Sequence, residues 1–167
     1  MDFSKVTEPE ARKFLNSFFA HREINREFYQ RVPEREFDFR MVDTAEKKSD
    51  SIRENLAHQI NVQRTYLKAV STGQLKPGHD HDQALKTKTK DALLIEMEKA
   101  DQELINLLAD EKTAQKKVSV PWSEEKVRAV SMFWATNEHE ILHTGIIIAL
   151  MDHLKMERFP ALKKVWG

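Results

Sequence analysis

Apolar residues recur three or four positions apart over four long stretches of this chain, and only four glycines and five prolines interrupt them. That spacing is the mark of helices with one buried face. Thr7-Glu8-Pro9-Glu10 reads as a capping box with proline in the first turn. It opens a helix through Phe14, Phe18 and Phe28 that Pro33 ends, so helix one covers about Thr7 to Arg31. Ser51-Ile52-Arg53-Glu54 gives a second capping box within helix two, about Ser49 to Thr72, with Gly73 suited to the C-terminal cap. Leu93, Leu94, Met97, Leu104, Leu107 and Leu108 mark helix three, about Thr89 to Asp110. Ser123 is the expected N-cap of helix four, with Glu124 and Glu125 in its first turn, and the helix runs to about Leu154.

Between these helices the chemistry is that of turns. Residues Gly73 to Lys86 contain Lys76-Pro77-Gly78 and His79-Asp80-His81-Asp82 and show no useful period, so they read as a loop. Phe37 to Val42 alternates for six residues, too few for a sheet alone. The expected fold is all-α, an up-down four-helix bundle with long helices in one domain spanning residues 1–167.

Charge removes several function classes. Lysine plus arginine equal aspartate plus glutamate, 27 each, with the signs intermixed, so no basic patch for nucleic acid or an acidic membrane is expected. The longest apolar run, Gly145 to Met151, falls far short of the roughly 20 residues a membrane helix needs. The N-terminus lacks a secretory pattern, which makes a cytoplasmic protein the expectation. Cysteine is absent, so histidine and carboxylates must carry any chemistry.

On helix four, Met132, Ala135, His139, His143, Ile146 and Leu150 share one stripe, which turns both histidines inward. Imidazoles four residues apart lie one above the other and can reach one ion. A third ligand must come from elsewhere in the bundle, and His58 in the middle of helix two is the best candidate. It sits off the apolar stripe of Ile52, Leu56, Ile60, Leu67 and Val70, on a flank with Asn55, Val62 and Ala69. The plainer reading is that His-x-x-x-His arises by chance and each buried ring finds a hydrogen-bond partner.

Ser51 to His58, followed some eighty residues later by Asn137-Glu138-His139-Glu140-Ile141-Leu142-His143-Thr144-Gly145, resembles the DinB-like (YfiT-like) family of metal-dependent enzymes. The resemblance implies a four-helix bundle in which His58, His139 and His143 bind zinc, nickel or a similar divalent ion. It also implies a small-molecule substrate and, in some relatives, a low-molecular-weight thiol cosubstrate. Relatives often continue His-Arg-Gly-Gln after the last ligand, where this chain has His143-Thr144-Gly145-Ile146.

Three readings of function remain. A metal-dependent hydrolase or thiol transferase would use Glu140 or Glu138 as base, although a solvated carboxylate is the commoner fate of each. A non-catalytic stress-response module would use the ion structurally, with His79 to Asp82 as a further ligand source or simply a wet loop. His139-Glu140-Ile141-Leu142-His143 is also a literal zinc-peptidase signature, but the metzincin spacing puts histidine where Ala149 stands. A second apolar stripe on helix four, Val130, Trp134, Ile141, Gly145 and Ile148, must be covered by helix one or by a second copy, and a homodimer is expected.

Overall fold

The computed structural model describes residues 2–78 and 82–166. Its long helices are α1 (Pro9–Arg31), α2 (Ile52–Thr72), α3 (Lys90–Ala109) and α5 (Ala129–His153), with short helices α4 (Glu111–Ala114) and α6 (Pro160–Trp166). The expected all-α bundle of four long helices is the observed one.

Helix starts follow from side chains that bind otherwise orphaned N–H groups. Glu8, not Thr7, caps α1, its carboxylate accepting from the Ala11 N–H. Ser51 caps α2 from outside the helix, and both halves of the capping box with Glu54 form. Thr89 caps α3. Gly73 ends α2 at φ 75°, a left-handed conformation that costs glycine little.

The last long helix starts five residues later than expected. Ser123 is not its N-cap; Arg128 holds that position without a side-chain bond. The preceding residues instead make a small antiparallel hairpin of β1 (Lys117–Val118) and β2 (Val127–Arg128). It is anchored by backbone bonds that cross the fold: Leu75 N–H donates to Ser119 O (2.8 Å) and Ser119 N–H to Gly73 O (3.0 Å). Propensity favoured an early start; backbone partners 44 to 46 residues away decided otherwise.

Contacts fix the direction of each helix. Glu10 meets Ser131, Phe14 meets Phe133 and Asn25 meets Thr144, so α1 and α5 run the same way. Arg22 bonds Gln63 while the later Tyr29 bonds the earlier Gln59, so α2 runs against α1. Arg53 reaches Lys88 and Gln63 reaches Asp101, so α3 runs with α2. The order is up-down-down-up. Strict alternation therefore fails at the second connection, where residues 73–89 must travel back along α2, about 30 Å.

The described parts of this connection, residues 73–78 and 82–89, form a strap laid over the bundle. It is tethered at Gly73 and Leu75 to Ser119, midway by Asp82 N–H to Asn61 Oδ1 (2.9 Å), and at its end by Arg53 to Lys88 O. A 3-10 turn, Gln83–Thr87, buries Leu85 beneath it. His79, Asp80 and His81 lie outside the described residues; Asp82 caps the 3-10 turn.

The core has two apolar halves. One gathers Phe14, Leu15 and Phe18 with Val70, Leu104, Leu108, Val130 and Phe133; the other gathers Ile24, Phe28 and Phe37 with Leu56, Ile60, Met97, Ile147 and Leu150. Each buried side chain of this size contributes roughly 1.5–3 kcal/mol. The tail packs back through Phe159 and Leu162, while Trp166 stays half exposed. Among the described residues, no helix is long and apolar enough to cross a membrane.

Candidate metal centre

Between the two apolar halves lies a layer of polar side chains, and the histidines stand beside it. His58 comes from α2, and His139 and His143 come from successive turns of α5, which faces α2. His58 Nε2 lies 3.0 Å from His139 Nε2, and His143 Nε2 lies 3.2 Å from the same atom. One nitrogen of each ring falls within 4.8 Å of the others, and this is the three-residue metal-ligating group found among the described residues. Ring centroids are 4.4 to 5.4 Å apart. Nitrogens bound at 2.0–2.1 Å in tetrahedral geometry would sit about 3.3 Å apart, so the donors fit a single ion.

The flank position of His58 is what the site needs. Its own apolar stripe packs into the core, and the neighbouring flank meets α5, so an off-stripe residue reaches the α5 histidines.

Burial sets the protonation state. Desolvation, reinforced by His58 and by the Arg22 charge, pushes His139 down to about 4. Desolvation together with His139, His58 and Arg22 pushes His143 to about 3. Both rings are therefore neutral at pH 7, the form that binds a metal. His143 Nδ1 is buried without a hydrogen-bond partner among the described residues.

Glu140 is not a solvated flank carboxylate. It is 1% exposed. Its Oε1 pairs with Arg22 Nη2 at 3.0 Å and its Oε2 accepts from Asn25 Nδ2 at 2.8 Å. Burial raises its pKa, while Arg22 and Asn25 oppose that rise. Both oxygens are engaged from α1. Glu138, by contrast, is exposed. The peptidase signature asks for a free glutamate at the ion and a third ligand downstream; here the glutamate is occupied and the third imidazole comes from α2.

The polar layer was not anticipated from sequence. Arg22 also bonds Gln63 (2.9 Å) and approaches Asp101 (3.6 Å), which Arg26 neutralises from the other side. Gln63 donates to Asp101 (3.0 Å), and Gln59 donates to Tyr29. Thr144, a departure from the related pattern, donates to Asn25 Oδ1 (2.9 Å) and to Glu140 O (3.0 Å). A signal existed: Phe18, Arg22, Asn25 and Tyr29 share one stripe of helix one, so two strongly polar residues occupy core positions.

The second apolar stripe on α5 divides. Val130 is buried, Trp134 packs edge-on against Phe14 of α1 (5.8 Å) and Ile148 packs partly buried against the core, whereas Ile141 and Gly145 are exposed, as is the neighbouring Leu142.

Four long helices enclosing a two-helix, three-histidine cluster define a helical bundle of the metal-site type. The profile of the DinB superfamily matches residues 17–147, and the chain belongs to that superfamily. It is similar in fold to a DinB-like protein of Bacillus subtilis, YjoA, whose crystal structure superposes with a TM-score of 0.65 at 15% identity, covering 89% of this chain and 95% of that one. No curated protein matches the sequence significantly.

Proposed function

We propose that His58, His139 and His143 hold one divalent ion, zinc or nickel, and that the chain is a metal-dependent enzyme acting on a small molecule in the cytoplasm. The observation that carries this reading is the convergence of three Nε2 atoms from two helices within the span of one coordination sphere. A divalent ion held by three imidazoles supplies Lewis acidity toward a fourth position, which suits water, a low-molecular-weight thiol or a substrate carbonyl. The class is hydrolase or thiol S-transferase.

The protein's own groups do the rest. His139 and His143 are neutral and preplaced, so little reorganisation precedes binding. Arg22, Asn25 and Glu140 brace the α5 turn that carries His139, and we assign Glu140 this positioning role in place of base. The alternative is a non-catalytic metal-binding stress-response module with a closed site. Two of the three histidines, His58 and His139, line a cavity, which favours the catalytic reading. The exposed Ile141 and Leu142 support a homodimer formed through α5.

Elemental analysis of untagged wild type and His58→Ala tests the metal reading. About one ion per chain, lost in the variant, supports it; equal content in both refutes it. Screening the loaded protein with and without thiol cosubstrates then separates transferase from hydrolase.

A further inference from the structure

Against the histidines lies a cavity of about 440 Å³, within the range of small-molecule pockets. It is lined by His58, Val62, Thr65 and Tyr66 of α2, by Pro77 and Gly78 of the strap, and by His139 of α5. Among the described residues that line it, none carries a formal charge at neutral pH apart from what His58 contributes. Thr65 has spent its hydroxyl on Asn61 O (2.9 Å).

Tyr66 is different. It packs against Phe133 and against Trp122, each at 6.5 Å between ring centroids, so its ring is oriented from two sides. None of the described residues is hydrogen-bonded to its hydroxyl. The His58, Val62 and Tyr66 positions follow one another at four-residue steps along one face, about 12 Å in all, and helical side chains lean toward the N-terminus, here toward His58. Burial and the nearby Glu138 raise the phenol's pKa, which keeps its proton on.

We propose that this cavity receives the substrate, that the substrate presents a mainly apolar body and a carbonyl-type oxygen to it, and that Tyr66 donates a hydrogen bond to that oxygen. Val62, the Tyr66 ring and Pro77 give the described wall an apolar surface, against which an apolar body is buried favourably. A half-buried donor with no partner among the described residues is satisfied when an acceptor enters. The inference rests on the proposed metal-enzyme reading for its chemistry, but its binding element stands on the cavity alone.

The test uses the full chain, zinc-reconstituted and chelator-treated in parallel, with benzamide and succinamate as probes followed by amide ¹H–¹⁵N shifts. Benzamide is expected to shift Val62, Tyr66 and Gly78 in both preparations, while succinamate, which lacks an apolar body, leaves them in place in the chelator-treated one. Tyr66→Phe should weaken benzamide about 3- to 10-fold without altering the fold, since the lost hydroxyl had no partner among the described residues. Val62→Asp should abolish binding, with thermal melts confirming that it folds. Absence of benzamide shifts at these residues, or equal binding of succinamate to the chelator-treated protein, overturns the pocket assignment; unchanged affinity in Tyr66→Phe overturns the donor role. Zinc failing to bind while benzamide still does would refute the metal reading and leave the pocket intact.

Discussion

Arg22 of α1 and Glu140 of α5 are paired at 3.0 Å with both side chains almost completely enclosed, and the residue before Glu140 is His139. The pair thus fastens the site-bearing turn of α5 to the opposite side of the bundle. Its charges are balanced locally, since Asp101 has Arg26 as a second partner.

Removing one member of that pair strands the other in a low-dielectric interior. Arg22→Met should cost roughly 3–5 kcal/mol in urea unfolding. The double variant Arg22→Met with Glu140→Leu should recover much of that loss, because no unpaired charge remains at position 140. A single-variant cost below about 1 kcal/mol would contradict the enclosed pairing.

The neutral histidines link stability to pH. His139 and His143 titrate near 4 and 3 in the fold but near 6.5 when unfolded, so the unfolded chain binds protons first as pH falls. Their contribution is complete above about pH 6.5 and drains away toward pH 4 and below. The chelator-treated protein should lose on the order of 3 kcal/mol between pH 7 and 4, a figure kept low because His139 is partly exposed. Thermal melts of a His139→Asn, His143→Asn variant should show a flatter profile over that window.

Metal binding should appear as stabilisation. Zinc at about a hundred times its Kd is expected to add about 2.7 kcal/mol, or roughly 5–10 °C in Tm. His58→Ala, His139→Ala and His143→Ala should each remove the shift. Retention of the full shift in any one of them would eliminate that residue as a ligand.

Leu142 is 63% exposed on α5 beside Ile141. If a second copy covers this face, sedimentation should show a dimer for wild type and a monomer for Leu142→Asp. A monomeric wild type at micromolar concentration would end the homodimer proposal.

The cap of α2 supports the helix that carries His58. Ser51→Ala removes a side-chain acceptor and the reciprocal contact with Glu54, and should cost about 1 kcal/mol in chemical denaturation.

The four long helices were legible because their evidence is local. Three- and four-residue apolar spacing, Ser51 with Glu54, and Gly73 at a left-handed cap all act within one or two turns. The His139 and His143 pair was legible for the same reason, being one turn apart on one helix. His58 was less so: its flank position acquires meaning only from the placement of α5 beside α2, and the family resemblance supplied what periodicity could not.

Tertiary structure alone decided the rest. Arg22 and Asn25 find their partners on α2, α3 and α5, up to 119 residues away, and no local pattern encodes which chain segment will arrive there. The parallel run of α2 and α3, the strap that this direction requires, the hairpin before α5 and the cavity between strap and Tyr66 all depend on backbone and side-chain partners distant in sequence. Helix formation is governed by neighbours along the chain, whereas a buried polar group is stable only where distant segments bring it a partner; the first is written in spacing, and the second exists only once the bundle has closed.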